Sequence, residues 1–171
     1  IWGGSFIFMR IIAPVLGPII TADLRIFFAG AVLLLYFKVI GFDAEIKKYW
    51  KHYLMIGVLN AALPFLMFAF AAMHIPAAYS AIMNSTTPMF GAIFSALWLG
   101  DKLTPRKFAG FFFGAIGVAC VVHIKDTHMD GLFYASIFAC LIAAVSYAIA
   151  AVYVKKFASG AKPMAIAGAA Q

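Results

Sequence analysis

Charged side chains are scarce in this sequence, and acidic ones most of all. The 171-residue chain has 6 Asp and Glu against 13 Lys and Arg, and 11% of its residues are charged. Soluble domains carry about 25% charged residues, so the composition excludes an ordinary soluble domain. The basic residues are dispersed in short gaps between apolar stretches, where they act as topology signals. We therefore predict no nucleic-acid partner.

Cysteine is almost absent as well. Cys120 and Cys140 each lie inside an apolar stretch, and there is no CxxC motif. Buried single cysteines usually behave as small hydrophobic side chains, and His123 and His128 follow no common zinc-ligand spacing. The sequence therefore predicts no disulfide framework, no metal site and no cofactor. It also lacks the clustered His, Asp and Glu of a membrane-embedded enzyme, so we predict no catalytic residue.

Long apolar stretches make up most of what is present, since 65% of the residues are hydrophobic. A bilayer core about 30 Å thick needs about 20 helical residues to cross it. Five stretches are near or above this length: residues 21–40, 53–73, 76–99, 108–124 and 131–154. They predict an all-α polytopic membrane protein, built as an antiparallel bundle of transmembrane helices in a lipid bilayer.

The two ends of the sequence indicate an incomplete set of helices. Residues 1–12 are apolar but too few to span a bilayer, and the first residue is Ile1 rather than Met. Residues 162–167 have the pattern of a helix that is just beginning. We therefore interpret the chain as a fragment of a longer protein.

The basic residues predict the orientation of the bundle. Ten of the thirteen fall in alternate gaps: Lys38, Lys47, Lys48, Lys51, Lys102, Arg106, Lys107, Lys155, Lys156 and Lys162. The opposite side has Arg10, Arg25 and Lys125. By the positive-inside rule, the side with ten basic residues is cytoplasmic.

A weak internal similarity relates the beginning of the chain to a later helix. Residues 2–10 and residues 147–155 both consist of an aromatic residue, a run of mostly small or apolar residues, and a cation eight positions later. Five predicted helices, an odd number, precede the helix that contains the second segment, so the two segments run in opposite directions. Such inverted repeats are the architecture of many secondary transporters.

Several blocks of the sequence resemble a known repeat. They are WGGSF at residues 2–6, DLRIFFA at 23–29, and the segments at 71–88, 91–104 and 110–118. These blocks are similar to the EamA-type repeat of the drug/metabolite transporter superfamily, although Asp101 stands where that family more often has Glu. The resemblance implies a first repeat with a truncated first helix at residues 1–124. A second, inverted repeat then starts at residues 129–171, and its remainder is missing from the chain.

The resemblance also implies a function. Family members have ten helices in two inverted five-helix repeats in a bacterial inner membrane, and they transport small metabolites or drugs, mostly outward. We therefore expect a transporter with a small-molecule substrate that works by alternating access. The alternatives are a membrane channel, for which we see no charged ring or selectivity loop, and a non-transporting accessory membrane subunit.

Two prolines at mid-depth are candidates for the substrate pathway. Asn60 precedes Pro64 by four residues, and Asn84 precedes Pro88 by four. Proline has no backbone N–H, so the carbonyl four residues earlier loses its helical donor. Transporter sites cluster near the midplane at interrupted helices. Alternatively, the two prolines only kink their helices for packing.

A polar stripe follows the same helix as Pro88. Five small or polar residues recur at helical spacing on one face: Ser80, Asn84, Thr87, Gly91 and Ser95. Such a stripe either lines an aqueous cavity or forms a helix–helix interface. Both interpretations place it inside the bundle.

The remaining candidates are single side chains and one glycine face. Trp2, Arg10 and Arg25 could line the pathway or bind an anionic substrate. Otherwise Trp2 is a packing aromatic and the arginines extend to the headgroups. The glycines of the 108–124 stretch share one face and predict close helix packing or, alternatively, a homodimer: Gly110, Gly114 and Gly117.

Overall fold

The computed structural model describes residues 2–121 and 130–169, and within these ranges all regular structure is helical. The elements are α1 (Trp2–Leu16), α2 (Pro18–Val39), α3 (Ile46–Gly57), a π-helical turn (Val58–Ala62), α4 (Leu63–His74), α5 (Ala77–Asn84), α6 (Thr87–Leu99), α7 (Pro105–Val121), α8 (Gly131–Phe157) and α9 (Pro163–Ala169). The all-α class predicted from the sequence is confirmed.

Three helical stretches of the described chain are long and apolar enough to cross a membrane. They are Pro18–Val39, Ile46–His74 and Gly131–Phe157. The stretch at 76–99, predicted as one helix, is instead divided into α5 and α6. The stretch at 108–124 corresponds to α7, and its last three residues lie outside the described ranges. The chain is an integral membrane protein.

The long helix α8 is the central element of the bundle, and it packs against α4, α5 and α6. Its 27 residues begin at Gly131, after the N-cap residue Asp130, whose carboxylate accepts a hydrogen bond from the Phe133 backbone N–H at 2.8 Å. Its buried face consists mainly of small side chains: Ser136, Ala139, Cys140, Ala143, Ala144, Ser146, Ala148 and Ala150. Small residues allow the backbones of neighbouring helices to approach closely, so α8 can contact three helices at once.

Connections rich in basic residues meet at one end of the bundle. The Lys162 ammonium is 3.4 Å from a Glu45 carboxylate oxygen, and the Lys155 ammonium is 3.1 Å from an Asp101 carboxylate oxygen. These contacts join the α2–α3 connection, the α6–α7 connection and the end of α8. We call this the basic end. Therefore α2 and α8 run toward the basic end, and α1, which precedes α2 by a short turn, runs away from it.

The glycine face of α7 does not pack as predicted. Gly110, Gly114 and Gly117 are exposed, and a Cβ atom added to any of them would have no atom within 4 Å. The reason is that α7 lies at the edge of the bundle and contacts α5 and α6 with its other side. Within the described residues, the prediction of close packing on this face is wrong.

Candidate functional site

Arg25 lies inside the bundle rather than at its surface. It is half-buried, and its guanidinium carbon is 4.1 Å from the centroid of the Phe65 ring of α4. This is the geometry of a cation–π contact. Tyr147 of α8 is an electrostatic partner of the same guanidinium. The expectation that Arg25 sits at a helix end and extends to the headgroups is therefore wrong, because α2 already begins at Pro18.

Aromatic rings from three helices surround this position. The Phe68 ring lies edge-on to Phe6 of α1, with ring centroids 5.0 Å apart, and stacks on Tyr147 of α8 at 6.3 Å. Phe68 and Phe65 follow each other at helical spacing on α4 and are both buried. The cluster thus presents one cation beside aromatic faces, an arrangement that can contact planar or negatively charged groups. The side chain of Trp2 lies outside the described part of the chain.

The region before Pro64 contains a shift in helical register. The Leu63 N–H donates to the Val58 carbonyl, five residues earlier, in the π-helical turn. In this register Pro64 removes the donor of the Leu59 carbonyl rather than that of Asn60, which the four-residue spacing predicted. The Ser146 hydroxyl of α8 donates to the Leu59 carbonyl at 2.7 Å. The freed carbonyl is therefore satisfied across the helix interface.

The region before Pro88 is a true helix break. Ser85 and Thr86 separate α5 from α6, and their hydroxyls donate to the carbonyls of Ile82 and Met83, each at 2.6 Å. Hydroxyl groups that bond the preceding turn compete with helix propagation, and Pro88 supplies no N–H to continue the ladder. Both effects are local and act together, so the stretch predicted as one helix forms two.

The middle of the polar stripe lies at this break and is accessible. Asn84 and Thr87 are half-buried, and the Thr87 hydroxyl donates to the Asn84 amide oxygen at 3.4 Å. Pro88 is exposed, and a Cβ atom added to Gly91 would have no atom within 4 Å. An amide, a hydroxyl and backbone groups near a proline are therefore available for hydrogen bonds to a bound molecule.

The two ends of the stripe have a different role, because they pack toward α8. Ser80 is buried, and its hydroxyl oxygen is 3.7 Å from the Cys140 sulfur. The Ser95 hydroxyl donates to the Asp101 carboxylate, which also pairs with Lys155. The two interpretations of the stripe therefore apply to different parts of it: an interface at its ends and an open surface in its middle.

Arg10 supplies a hydrogen-bond donor to the C-terminal end of α4. Its guanidinium donates to the carbonyl of Ala72, in the last turn of α4. In a continuous helix that carbonyl would accept from residue 76, which is Pro76 and has no N–H. Because α1 continues to Leu16, Arg10 is not at the outer end of its helix as predicted. The structure gives this exposed side chain a capping contact.

The main features of the site share one level of the bundle. Counted along each helix from the basic end at about 1.5 Å per residue, they lie roughly 15–22 Å deep. The features are Arg25, Leu59, Asn84, Ser146 and Tyr147. Sequence reasoning missed Ser146 and Tyr147 as members of this group. The available signal was a hydroxyl and a phenol side by side within a run of small and aliphatic residues at 139–152.

Among residues 2–121 and 130–169 no group of three or more His, Cys, Asp and Glu could hold a metal ion. His123 and His128 lie outside these ranges.

Comparison with known proteins gives relatives from several bacteria. The chain is 27% identical over 161 residues to the "Uncharacterized transporter YvbV" of Bacillus subtilis, which covers 92% of this chain and 51% of that protein. It is 24% identical over 157 residues to "Protein PecM" of Dickeya dadantii, covering 92% and 50%. It is 27% identical over 155 residues to the "Uncharacterized inner membrane transporter YedA" of Escherichia coli K12, covering 90% and 49%.

The chain thus spans about half the length of these relatives. No solved structure matches it. The model of the EamA-like transporter family matches residues 1–123, from α1 through α7. This match confirms the resemblance of the sequence blocks, and the chain belongs to the EamA-like transporter family.

Proposed function

We propose that this chain is part of an inner-membrane exporter of small metabolites or drugs. The observation that carries the proposal is the accessible helix break at Asn84, Thr87 and Pro88, near the middle of a bundle of apolar helices. Transporters bind their substrates at discontinuous helices near the midplane, where unpaired backbone groups face a cavity. The names of two relatives, which call them transporters, support the same function.

The proposed pathway uses the polar groups at the level of the break. Asn84 and Thr87 offer an amide and a hydroxyl to a substrate, and Arg25 offers a cation that is held against the Phe65 ring. Pro64 and Asn60 contribute by shaping the π-helical turn at that level. We assign no direct substrate contact to Arg10, because its guanidinium bonds to the Ala72 carbonyl.

The proposed mechanism is alternating access between two inverted repeats. Residues 1–124 form most of the first repeat, and residues 129–171 start the second. The opposite directions of α1 and α8 relative to the basic end support this assignment, together with the similarity of residues 2–10 and 147–155. An inverted pair can close on either side of a fixed central site. We infer that the rest of the second repeat lies in sequence beyond this chain.

The substitution Asn84→Ala in the full-length protein tests the pathway. Cells that express the protein are compared with control cells by metabolite profiling of the medium, which identifies an exported solute, and its efflux is then measured in everted vesicles. We expect the apparent affinity to fall roughly tenfold, because a lost buried partner costs about 1–3 kcal/mol. Folding should change little, since side-chain hydrogen bonds between membrane helices average about 0.6 kcal/mol.

Leu97→Ala is the control, because Leu97 lies on α6, the helix that follows the break, with a side chain that is 72% exposed. It should transport normally. If Asn84→Ala also transports and expresses normally, the break is a packing feature and not a pathway.

The proposal of export assumes that the basic end faces the cytoplasm. Single cysteines at Lys48, at the basic end, and at Gly131, at the opposite end of α8, test this in intact cells with an impermeant thiol reagent. Both positions are exposed. We expect position 131 to react and position 48 to react only after the cells are opened. The reverse pattern would invert the bundle.

A further inference from the structure

We propose that three polar contacts at the basic end form a latch that closes this side of the pathway and must open in each transport cycle. The latch consists of Asp101 with Lys155, His52 with Tyr153, and Lys162 with the Asp43–Glu45 segment. The proposal rests on the transport function proposed above. It adds a defined gate and says which side of the bundle opens.

The first contact joins the α6–α7 connection to the end of α8. The Lys155 ammonium is 3.1 Å from an Asp101 carboxylate oxygen, and the Ser95 hydroxyl donates to the same oxygen. The hydrogen bonds from Ser95 and Lys155 hold the pKa of the Asp101 carboxyl below its ordinary value. The carboxylate is therefore ionised at neutral pH, and the contact is a charged pair.

The other two contacts join α3 and the connection before it to α8 and α9. The His52 ring nitrogen Nδ1 is 2.8 Å from the Tyr153 hydroxyl of α8. The Lys162 ammonium is 3.4 Å from a Glu45 carboxylate oxygen and donates to the Asp43 carbonyl at 2.8 Å. All three contacts therefore connect residues 1–123, which match the family model, to α8 or to the start of α9.

The opposite end of the bundle is held differently. Among the described residues of that end, the buried rings of Tyr79 and Phe133, one from each part, meet edge to face with centroids 5.4 Å apart. Water and salt compete readily with exposed ion pairs, whereas separating buried aromatic rings exposes apolar surface. The polar contacts of the basic end are therefore ones that water and salt can release. Opening there admits a solute from the side with the larger number of basic residues.

The latch can be tested without a known substrate, in everted vesicles that contain the full-length protein. The native cysteines are replaced by Cys120→Ser and Cys140→Ser, and Gly91→Cys is the reporter. Gly91 lies in α6 between the break and the basic end, with no atom within 4 Å of an added Cβ. The probe is a charged, membrane-impermeant methanethiosulfonate applied from the basic end.

Breaking the ion pair should increase the labelling rate of the reporter. For Asp101→Asn and for Lys155→Gln we expect an increase of about three- to fivefold, the upper range for an exposed pair. The exchanged pair, Asp101→Lys with Lys155→Asp, should return the rate to within about twofold of the parent. Lys156→Gln is the matched control, since its ammonium lies over the Phe157 ring and not in the latch. It should leave the rate unchanged.

Two further measurements keep the proposal testable if a variant fails to reach the membrane. Lys162→Gln should also increase labelling, because it breaks a separate contact of the latch. In the reporter protein with an intact latch, salt should screen the ion pairs and weaken them. Labelling should therefore increase between low and high ionic strength. Unchanged labelling in these variants, or an exchanged pair that labels as fast as the single variants, would overturn the latch. Normal latch behaviour with no exported solute would overturn the transport function and leave the latch standing.

Discussion

Pro64 and Pro88 remove the same backbone donor from two helices of one bundle, yet the helices respond in opposite ways. At Pro64 the helix continues through a π-helical turn, and the freed Leu59 carbonyl accepts from Ser146. Before Pro88 one helix ends at Asn84 and the next begins at Thr87. Pro64 is buried, whereas Pro88 is exposed. The outcome of a proline in a membrane helix is therefore decided by the donors around it.

The Pro64 region depends on a partner, and the Pro88 region depends on its own chain. Ser146 comes from a helix 87 residues later in the sequence. The carbonyls of Ile82 and Met83, in contrast, already accept from the backbone N–H groups of Ser85 and Thr86 at 3.1 Å each. The hydroxyl bonds at the break are therefore additional, whereas the Ser146 bond replaces a missing donor. This difference gives two predictions, and a third, smaller one concerns the basic end.

The largest effect is expected for Ser146→Ala. The Leu59 carbonyl then has neither a helical donor nor the hydroxyl, and an unsatisfied buried acceptor costs about 1–3 kcal/mol. Thermal unfolding of the purified protein in detergent should show the loss, and Ser146→Thr, which keeps a hydroxyl, should restore most of it. A melting temperature unchanged by Ser146→Ala would show that the carbonyl finds another donor.

A smaller effect is expected for Ser85→Ala combined with Thr86→Ala. Two hydroxyl bonds are lost, but the backbone donors still satisfy both carbonyls, and removing the competing hydroxyls favours helix. The net change in unfolding free energy should stay below about 1 kcal/mol. The same melting experiment checks it. A loss as large as that of Ser146→Ala would erase the distinction between the two prolines.

The smallest effect concerns pH at the basic end. The pKa of Asp101 is lowered in the folded protein, mainly by the Ser95 hydrogen bond and then by Lys155. Its contribution is therefore complete above the ordinary Asp value of about 3.9 and is lost as the pH falls through the lower, folded value. Labelling at Gly91→Cys, divided at each pH by the labelling of a freely exposed cysteine to correct for the thiolate fraction, should stay constant between about pH 8 and pH 5. An increase within that range would show that the Asp101 pair does not set the labelling rate.

The features that could be predicted are those encoded in short stretches. The apolar lengths gave the helical class, and the turn at Ile75 and Pro76 follows from proline after a long apolar run. The positions of the two mid-depth prolines also identified where the helices are irregular. In each case the determining residues lie within one or two helical turns of the feature.

The features that could not be predicted depend on residues far apart in sequence. The register shift before Pro64 is stabilised by Ser146, and the inward position of Arg25 is set by Phe65 and Tyr147. The same reason applies to the prediction of close packing on the glycine face of α7. Glycine spacing predicts a flat helix surface but does not say which helix, if any, lies against it. The break at Ser85 and Thr86 is the exception, because it is local. Its signal is a pair of hydroxyl side chains that compete with the helical hydrogen bonds.

The capping contact of Arg10 makes two distant positions depend on each other. The guanidinium replaces an amide hydrogen that Pro76 cannot supply to the Ala72 carbonyl. If residue 76 were alanine and the helix continued through Ile75, which is extended here, the N–H of residue 76 could serve that carbonyl, and the arginine would become dispensable. Positions 10 and 76 should therefore change together in related sequences, and a redesign of the bundle should alter both or neither.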